Sequence, residues 1–330
     1  MQDWNNKNGC SMQAVIVKDG KIRVEDVPKP TPLADEVLIK VHKAGICNTD
    51  LELTQDYMHF EGILGHEFVG RVEFAADQVW IGRRVVGEIN IYCSQCDLCR
   101  EGITKHCSRR NVLGILNKDG AFAEYLTLPV KNCYSVPDSL SDYEAVFTEP
   151  VAAALEFFDR IKIGNEEKAL ILGDGKLGLL VAQIMRQHTE NVTCVGKHSR
   201  NLDILKQRGI ATHQNGMGLD RQFSVVVEAT GNKNGLEEAL RLVLPQGTVI
   251  LKSTFHGKSQ IDVSQVVVDE IHLIGSRCGP FPEALNQLEQ KKINVDDLID
   301  GDYPLERSDE AFALAREPGT LKILLTPPSR

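Results

Sequence analysis

The chain has 330 residues, of which 42% are hydrophobic and 25% charged, a composition typical of a globular protein long enough for two domains. A formal net charge of -9 and a pI near 5.5 argue against a nucleic-acid or anionic-membrane surface, because both need positive charge. No stretch approaches the roughly 20 apolar residues of a membrane helix, and the opening MQDWNNKNGC lacks the regions of a signal peptide, so we expect a cytoplasmic protein with a small-molecule partner.

The first half of the chain is predicted to be rich in β-strands. Residues 1–11 are polar and are expected to form a flexible tail. MQAVIVKDGKIRVEDV then predicts a hairpin around Asp19-Gly20, DEVLIKVHKAGIC a further strand, and AFAEYLTL a later one. Residues 12–150 are therefore interpreted as one β-rich domain.

Two short segments of this half contain candidate metal ligands. GICNTD contains Cys47 and Asp50, and GHEFVG contains His66 and Glu67; FTEP places Glu149 at the end of the domain. A thiolate, an imidazole and a carboxylate with one open position are a catalytic ligand set for zinc, and Asp50 could fix the imidazole. Each residue alone has an ordinary explanation, as a core cysteine, a turn histidine or a helix-start carboxylate. The hypothesis rests on their combination.

A second candidate metal site lies in C-S-Q-C-D-L-C-R-E-G-I-T-K-H-C. Gaps of two, two and seven residues separate its cysteines, Cys93, Cys96, Cys99 and Cys107. Four thiolates within one loop form a closed structural zinc site that stabilises a lobe, here residues 93–107. An iron-sulfur cluster is the alternative, but the bacterial ferredoxin pattern has a shorter last gap and a proline after the last cysteine, where this chain has Ser108.

The second half of the chain alternates strands with helices. ALILG, NVTCVGK, FSVVVEATG and GTVILKST are predicted strands, and KLGLLVAQIMRQ, RNLDILKQRG and GLEEALRLVL are predicted helices. This alternation predicts a doubly wound parallel sheet over residues 151–276. The remaining segment, 277–330, is too short to fold alone, and we expect it to return to the first domain.

The loop GDGKLG follows the first of these strands and opens a helix. It contains the G-x-G-x-x-G glycines Gly173, Gly175 and Gly178, with Lys176 and Leu177 between the last two. The glycines permit a tight turn, close approach of a pyrophosphate and close packing of helix on strand, while the helix N-terminus supplies amide donors. This context predicts a dinucleotide site.

The end of the next strand indicates which dinucleotide is bound. The position that is acidic in NAD-binding proteins is Gly196 here, and Lys197, His198, Ser199 and Arg200 follow it. Because cations and a hydroxyl suit a 2′-phosphate, NADP is the predicted cofactor, with NAD as the alternative. The alternative is that these residues form a solvated helix start.

With GICNTD, GHEFVG, the four-cysteine segment and GDGKLG in this order, the chain resembles the zinc-containing medium-chain dehydrogenase/reductase superfamily over residues 12–330. The resemblance implies a GroES-like catalytic domain, a Rossmann domain, an active site in the cleft between them, and two zinc ions per chain. It assigns the catalytic zinc to Cys47, His66 and Glu149, with Glu67 as an adjacent or alternating ligand. Glutamate at 149 is similar to the polyol and glucose dehydrogenase branch.

The resemblance also implies roles for single residues. Thr49 would take the substrate proton, Arg277 would lie near cofactor and substrate, and the strand ends at 228–231, with Thr230, and at 252–254 would hold the nicotinamide. Leu53 stands where polyol dehydrogenases have an aromatic residue.

The reaction implied is hydride transfer between an alcohol, polyol or sugar hydroxyl and NAD(P), in a homodimer or homotetramer. Tyr57 and Phe60 are candidate pocket residues. Two alternatives remain: a catalytically silent NADP-binding structural or regulatory protein, and a carbonyl or quinone reductase of the zinc-free type.

Overall fold

The computed structural model describes residues 11–55, 59–216, 218–254 and 260–328. The chain forms two compact units. The first comprises the described residues up to Glu149, with Ile299–Glu317 and the segment from Lys322 on, and the second comprises Pro150–Leu298 and Pro318–Leu321. Within the described ranges, no helix has the length and apolar character needed to cross a bilayer.

The secondary structure follows the order expected from the sequence. The strands are β1 (Ser11–Lys18), β2 (Lys21–Pro28), β3 (Glu36–Gly45), β4 (Gly62–Ile63), β5 (Glu67–Phe74), β6 (Arg84–Gly87), β7 (Asn90–Ile91), β8 (Asn111–Val112), β9 (Tyr125–Pro129), β10 (Cys133–Ser135), β11 (Ala169–Leu172), β12 (Val192–Gly196), β13 (Ala211–Gln214), β14 (Phe223–Glu228), β15 (Val243–Leu251), β16 (His272–Gly275), β17 (Ile299–Pro304) and β18 (Lys322–Thr326). The α-helices are α1 (Asn48–Leu53), α2 (Asp97–Arg100), α3 (Asp142–Ala145), α4 (Thr148–Leu155), α5 (Lys176–Met185), α6 (Ser199–Lys206), α7 (Gly235–Leu242), α8 (Val263–Val268), α9 (Phe281–Glu289) and α10 (Ser308–Ala315).

The first unit is built from antiparallel strands for the most part. One sheet has the order β2-β1-β4, and a larger one has the order β10-β6-β5-β3-β18-β17, with β9 also paired to β3. β1 and β2 form the predicted hairpin, in which Lys18 pairs with Lys21. Asp19 and Gly20 both have positive φ, 49° and 70°, which is the conformation that a two-residue hairpin turn requires.

The second unit is the predicted doubly wound sheet, with parallel strands in the order β13-β12-β11-β14-β15-β16. Every residue of β11 is buried, as expected for a central parallel strand that helices cover on both faces. Its core includes Leu170, Val226, Leu240 and Val249. The predicted fold class, a β-rich domain followed by a parallel α/β domain, is confirmed.

The C-terminal segment differs from the expectation. Residues 277–298, including α9, stay with the second unit, and the return to the first unit begins at Ile299. α9 packs within the second unit through buried Phe281, Leu285 and Leu288. Of the predicted flexible tail, Ser11 belongs to β1 and residues 1–10 lie outside the described residues, as does Tyr57.

Candidate functional site

The first unit brings Cys47, His66 and Glu67 together. Their ligand atoms all lie within 4.8 Å of one another. The cause is strand pairing, because β3 and β5 run antiparallel with Gly45 opposite Glu67. Cys47 follows the end of β3, and His66 immediately precedes β5. Gly65 has a φ of 97°, and a side chain there would overlap the ring of Phe122, so the turn that presents His66 requires glycine.

Asp50 contacts both Cys47 and His66. Its Oδ2 accepts a hydrogen bond of 2.8 Å from the Cys47 amide, and its Oδ1 lies 3.3 Å from His66 Nδ1. The second contact is close enough for an ion pair, but its geometry is not that of a hydrogen bond, and neither of these buried atoms has a hydrogen-bond partner. Since Asp50 faces Nδ1, the other nitrogen of the ring, Nε2, is the one available to a metal.

The protonation of His66 reflects these neighbours. Burial lowers the pKa of His66, but the Asp50 carboxylate and the Cys47 thiol raise it, and the net result is a pKa well above 6.5. An imidazole must be neutral to bind a metal. A divalent ion placed beside Cys47 and His66 would therefore take the place of a proton in a site that favours positive charge.

Lys322 is a buried component of this site that the sequence did not reveal. Its ammonium contacts Glu67 Oε2 and lies 3.4 Å from the carbonyl oxygen of Ile46. Burial lowers the pKa of Lys322, but the charges of Glu67, Cys47 and Glu149 raise it above 10.5. Gly45 makes room for the pair, since a Cβ there would lie 2.5 Å from Glu67 Oε2. A single lysine at the start of a strand gives no sequence signal of this role.

The other expected ligands are placed less directly. Glu149 lies in the first turn of α4 and is outside the group that the structure brings together among the described residues, although its charge acts on Lys322. Thr49 Oγ1 lies 3.9 Å from Cys47 Sγ, beside the ligands. Leu53 is buried in the core.

The donor set fits a divalent metal ion. The three carboxylates of Asp50, Glu67 and Glu149 outnumber the ammonium of Lys322, and the buried polar atoms of His66 and Asp50 have no hydrogen-bond partner. A thiolate, an imidazole and a carboxylate are zinc ligands. This arrangement can hold a zinc ion with a position open to substrate.

The four cysteines of the lobe converge as the sequence predicted. The Sγ separations are 3.4 Å for Cys93 to Cys107, 3.5 Å for Cys96 to Cys99, 3.7 Å for Cys96 to Cys107 and 4.0 Å for Cys93 to Cys99. Zinc–sulfur bonds of about 2.3 Å at tetrahedral angles put the sulfurs ~3.8 Å apart. The cage therefore fits a single zinc ion and is too small for a cluster of several irons.

Backbone amides in the lobe stabilise the thiolate forms of Cys93 and Cys96. The amides of Gln95 and Cys96 donate to Cys93 Sγ at 3.5 Å and 3.4 Å, and these bonds lower the pKa of the Cys93 thiol to about 6. The backbone amides of Cys99 and Ser108 lower the pKa of the Cys96 thiol to about 7. Metal ligation requires the deprotonated form, so these contacts favour it.

The second unit contains the predicted dinucleotide loop between β11 and α5. Gly173 has a φ of 115°. A side chain at Gly178 would overlap the carbonyl oxygen of Gly173, whereas a Cβ at Gly175 would meet nothing within 4 Å. Gly175 is the N-cap of α5 and makes no side-chain cap, so the amides at this N-terminus point to a space that a pyrophosphate can enter. Lys176 and Leu177 are the first two residues of the helix.

The end of β12 holds a side chain that the local sequence did not indicate. Gly196 is buried, and a Cβ on it would overlap the side chain of Asp174 from the glycine loop. Lys197, Ser199 and Arg200 are exposed and His198 is half-buried. The space beside Gly196 is therefore filled by a carboxylate.

Two further strand ends of this unit hold predicted cofactor residues. The Glu228 carboxylate accepts hydrogen bonds from the amide and hydroxyl of Thr230, at 2.8 Å and 2.6 Å. Buried Lys252 donates to the carbonyls of Ala153 at 2.7 Å and of Arg277 at 3.3 Å. These contacts fix the backbone around Thr230 and Arg277, and both side chains are exposed.

Comparison with known proteins gives matches over nearly the whole chain. Residues 33–138 match the family model of the alcohol dehydrogenase GroES-like domain, and residues 144–325 match that of the glucose dehydrogenase C-terminus. L-threonine 3-dehydrogenase of Coxiella burnetii is 30% identical over 322 residues, which cover 90% of this chain and 94% of that protein. Sorbitol dehydrogenase of Halalkalibacterium halodurans is 27% identical over 335 residues, covering 93% and 96%.

A solved structure agrees with these matches. A protein from Sinorhizobium meliloti, described as a zinc-binding dehydrogenase and bound to NADP, is 28% identical and superposes with a TM-score of 0.89, covering 96% of this chain and 100% of that one.

Proposed function

Because the chain belongs to the zinc-containing medium-chain dehydrogenase/reductase superfamily, we propose that it oxidises an alcohol, polyol or sugar hydroxyl with NAD(P), and reduces the corresponding carbonyl in reverse. The observation that carries the proposal is the convergence of Cys47, His66 and Glu67 within 4.8 Å, in a chain that also has a dinucleotide loop. The cofactor is a nicotinamide dinucleotide. The preference for NADP, which rests on the cations after Gly196, stays a prediction from the sequence.

The proposal assigns each residue a task. Cys47 and His66 hold a zinc ion with the carboxylate of Glu149, and Lys322 holds Glu67 beside them. Bound zinc supplies Lewis acidity, which lowers the pKa of an alcohol hydroxyl as it does that of water. The hydroxyl of Thr49, close to Cys47, accepts a hydrogen bond from the substrate hydroxyl and relays its proton towards solvent, giving up its own proton as it takes that of the substrate. Asp50 keeps the His66 ring in one orientation.

The second unit supplies the hydride acceptor. The amides at the start of α5 bind the pyrophosphate, with Gly175 leaving space for it. Thr230 and Arg277, on strand ends that Glu228 and Lys252 stabilise, contact the nicotinamide side of the dinucleotide. Four cysteines hold a second, structural zinc, so the proposed content is two zinc ions per chain. A homodimeric or homotetrameric state and a cytoplasmic location stay predictions.

The proposal is tested by metal content and turnover of wild type and Cys47→Ala, with Cys133→Ala as the matched control. Cys133 is a buried cysteine of the same unit that belongs to neither metal group of the described residues. We expect Cys47→Ala to lose one of two zinc ions and more than about 100-fold in kcat on a panel of alcohols, polyols and aldoses, while keeping NAD(P)H binding. Undiminished turnover would contradict the proposal.

Two related measurements separate the alternatives. Glu149→Gln should lose the same zinc ion, whereas Glu67→Gln should retain it; the reverse result would make Glu67 the ligand. Wild-type protein that binds both metals and dinucleotide without turning over any member of the panel would favour the catalytically silent alternative. Protein with only the lobe zinc and with turnover of enones or quinones would favour the reductase alternative.

A further inference from the structure

The end of β12 lacks the side chain that usually identifies the cofactor. In dinucleotide-binding sheets an acidic residue at this strand end accepts hydrogen bonds from the ribose hydroxyls of NAD. Gly196 occupies the position here and offers no side chain. It pairs in register with β13 opposite Gln214, and it is buried. A glycine at this position leaves space that the 2′-phosphate of NADP could occupy.

The room is taken by Asp174, from the glycine loop. A Cβ on Gly196 would overlap the Cβ and the carboxylate of Asp174. Oδ2 of Asp174 accepts hydrogen bonds from the amides of Lys197 at 2.9 Å and His198 at 2.6 Å, and Oδ1 lies 3.2 Å from His198 Nδ1. The side chain is 7% exposed. A carboxylate is thus present at the strand end, although it comes from another loop.

The position of Asp174 is fixed on both sides. Its carbonyl oxygen accepts a hydrogen bond of 3.0 Å from Asn201 Nδ2, and the same amide group donates to the carbonyl oxygen of Gly319 at 3.0 Å. Asn201 is itself 1% exposed. All of these residues belong to the second unit. The carboxylate is therefore part of a rigid arrangement and is not free to move aside for a ligand.

We propose that Asp174 takes the place of the missing strand-end acid, accepts a hydrogen bond from the 2′-hydroxyl of the adenosine ribose, and makes the chain prefer NAD(H) to NADP(H). This inference rests on the proposed function. A carboxylate has about four acceptor sites, of which two amides and one imidazole use three, so one remains for a hydroxyl donor.

A 2′-phosphate would meet opposite conditions. It carries close to two negative charges at neutral pH, as other phosphate monoesters do, and it would lie against a buried carboxylate. The amides of Lys197 and His198, which could otherwise bind an anion, are already used by Asp174. Exposed cations such as Lys197 attract a phosphate only weakly because water and salt screen them. The fixed buried charge therefore outweighs the exposed ones, against the preference predicted from the sequence.

The test measures equilibrium binding of NADH and NADPH to the zinc-loaded protein by nicotinamide fluorescence, without turnover. We expect wild type to bind NADH at least about tenfold more tightly than NADPH. Asp174→Asn, which keeps the shape and removes the charge, should reduce that ratio about tenfold or more. The matched control is Asp203→Asn, an exposed acid on α6, which should leave the ratio unchanged.

Each other outcome is decisive. A wild-type preference for NADPH, or an unchanged ratio in folded Asp174→Asn, overturns the inference. If that variant does not fold, Lys197→Gln is measured in its place. A preference of the wild type for NADH that Lys197→Gln leaves unchanged supports the inference. A preference of the wild type for NADPH overturns it. Tight NADH binding without turnover would contradict the proposed function alone, whereas binding of neither dinucleotide would overturn both.

Discussion

Replacing Lys322 with methionine should destabilise the first unit by about 3–5 kcal/mol. Both side chains of the Lys322–Glu67 pair are 1% exposed. Methionine preserves much of the volume but leaves the Glu67 carboxylate buried without its counter-ion, and breaking a buried pair in this way costs about 3–5 kcal/mol. For an unfolding slope of about 2–3 kcal/mol per M, the urea midpoint should fall by about 1–2.5 M.

The assay is urea unfolding of the zinc-loaded protein followed by tryptophan fluorescence. Trp80 lies in the first unit, so its signal reports on that unit. Lys29→Met is the control, because the Lys29–Glu73 pair is 27% and 37% exposed and such pairs contribute about 0–1 kcal/mol.

A double variant tests the reasoning behind this number. Glu67→Gln together with Lys322→Met removes both charges, so its loss should be clearly smaller than the sum of the two single losses. A buried pair of this strength is excluded if Lys322→Met unfolds at the same urea concentration as Lys29→Met, or if the losses of the two single variants simply add.

Three further results are expected. Cys96→Ser should lose the lobe zinc and lower the Tm while it retains the other zinc and NADH binding; metal analysis that shows both ions lost, or none, would be inconsistent with two separate sites. Gly178→Ala should lower the Tm because its Cβ meets the carbonyl oxygen of Gly173. Gly175→Ala should keep the Tm and weaken NADH binding because its Cβ enters the open space in front of the helix. Equal Tm values for these two variants would contradict this. The hydrogen bond from His42 lowers the pKa of Asp142 below 3.8, so the stabilisation by this carboxylate is present above that pH and is lost as the pH falls through the folded pKa. Asp142→Asn should therefore be less stable than wild type at pH 6 and should lose less stability on acidification. Urea midpoints measured at pH 6 and below the folded pKa would show both differences.

Local features of the fold were readable from the sequence. The Asp19-Gly20 turn, the buried run of β11 and the alternation of strands with helices depend on residues close together in the chain, and the structure has each of them. The four-cysteine lobe is also local, because a loop of 15 residues contains all its ligands. The edge strands β13, β16 and β17 were missed, since a few residues at a sheet edge carry little periodic signal.

The arrangement of the candidate active site depended on tertiary structure. The sequence contained Cys47, His66 and Glu67, but the register of β3 against β5 places them together. The pairing of β18 with β3 brings Lys322 to Glu67 across 255 residues, and nothing near position 322 indicates that contact. β17 pairs in turn with β18, so the return to the first unit begins at Ile299 and not at residue 277.

The cofactor site shows the same division. The sequence determined the glycine loop, because its turn conformations and its helix start are fixed by residues 173–178. It could not determine what fills the space beside Gly196, since that depends on how far the side chain of a neighbouring loop reaches. The carboxylate of Asp174 accepts the amides of Lys197 and His198, so a position that looked empty holds a negative charge. Periodicity and turn chemistry are encoded over a few residues, whereas the charge and volume at a site are sums over segments that only the folded chain brings into contact.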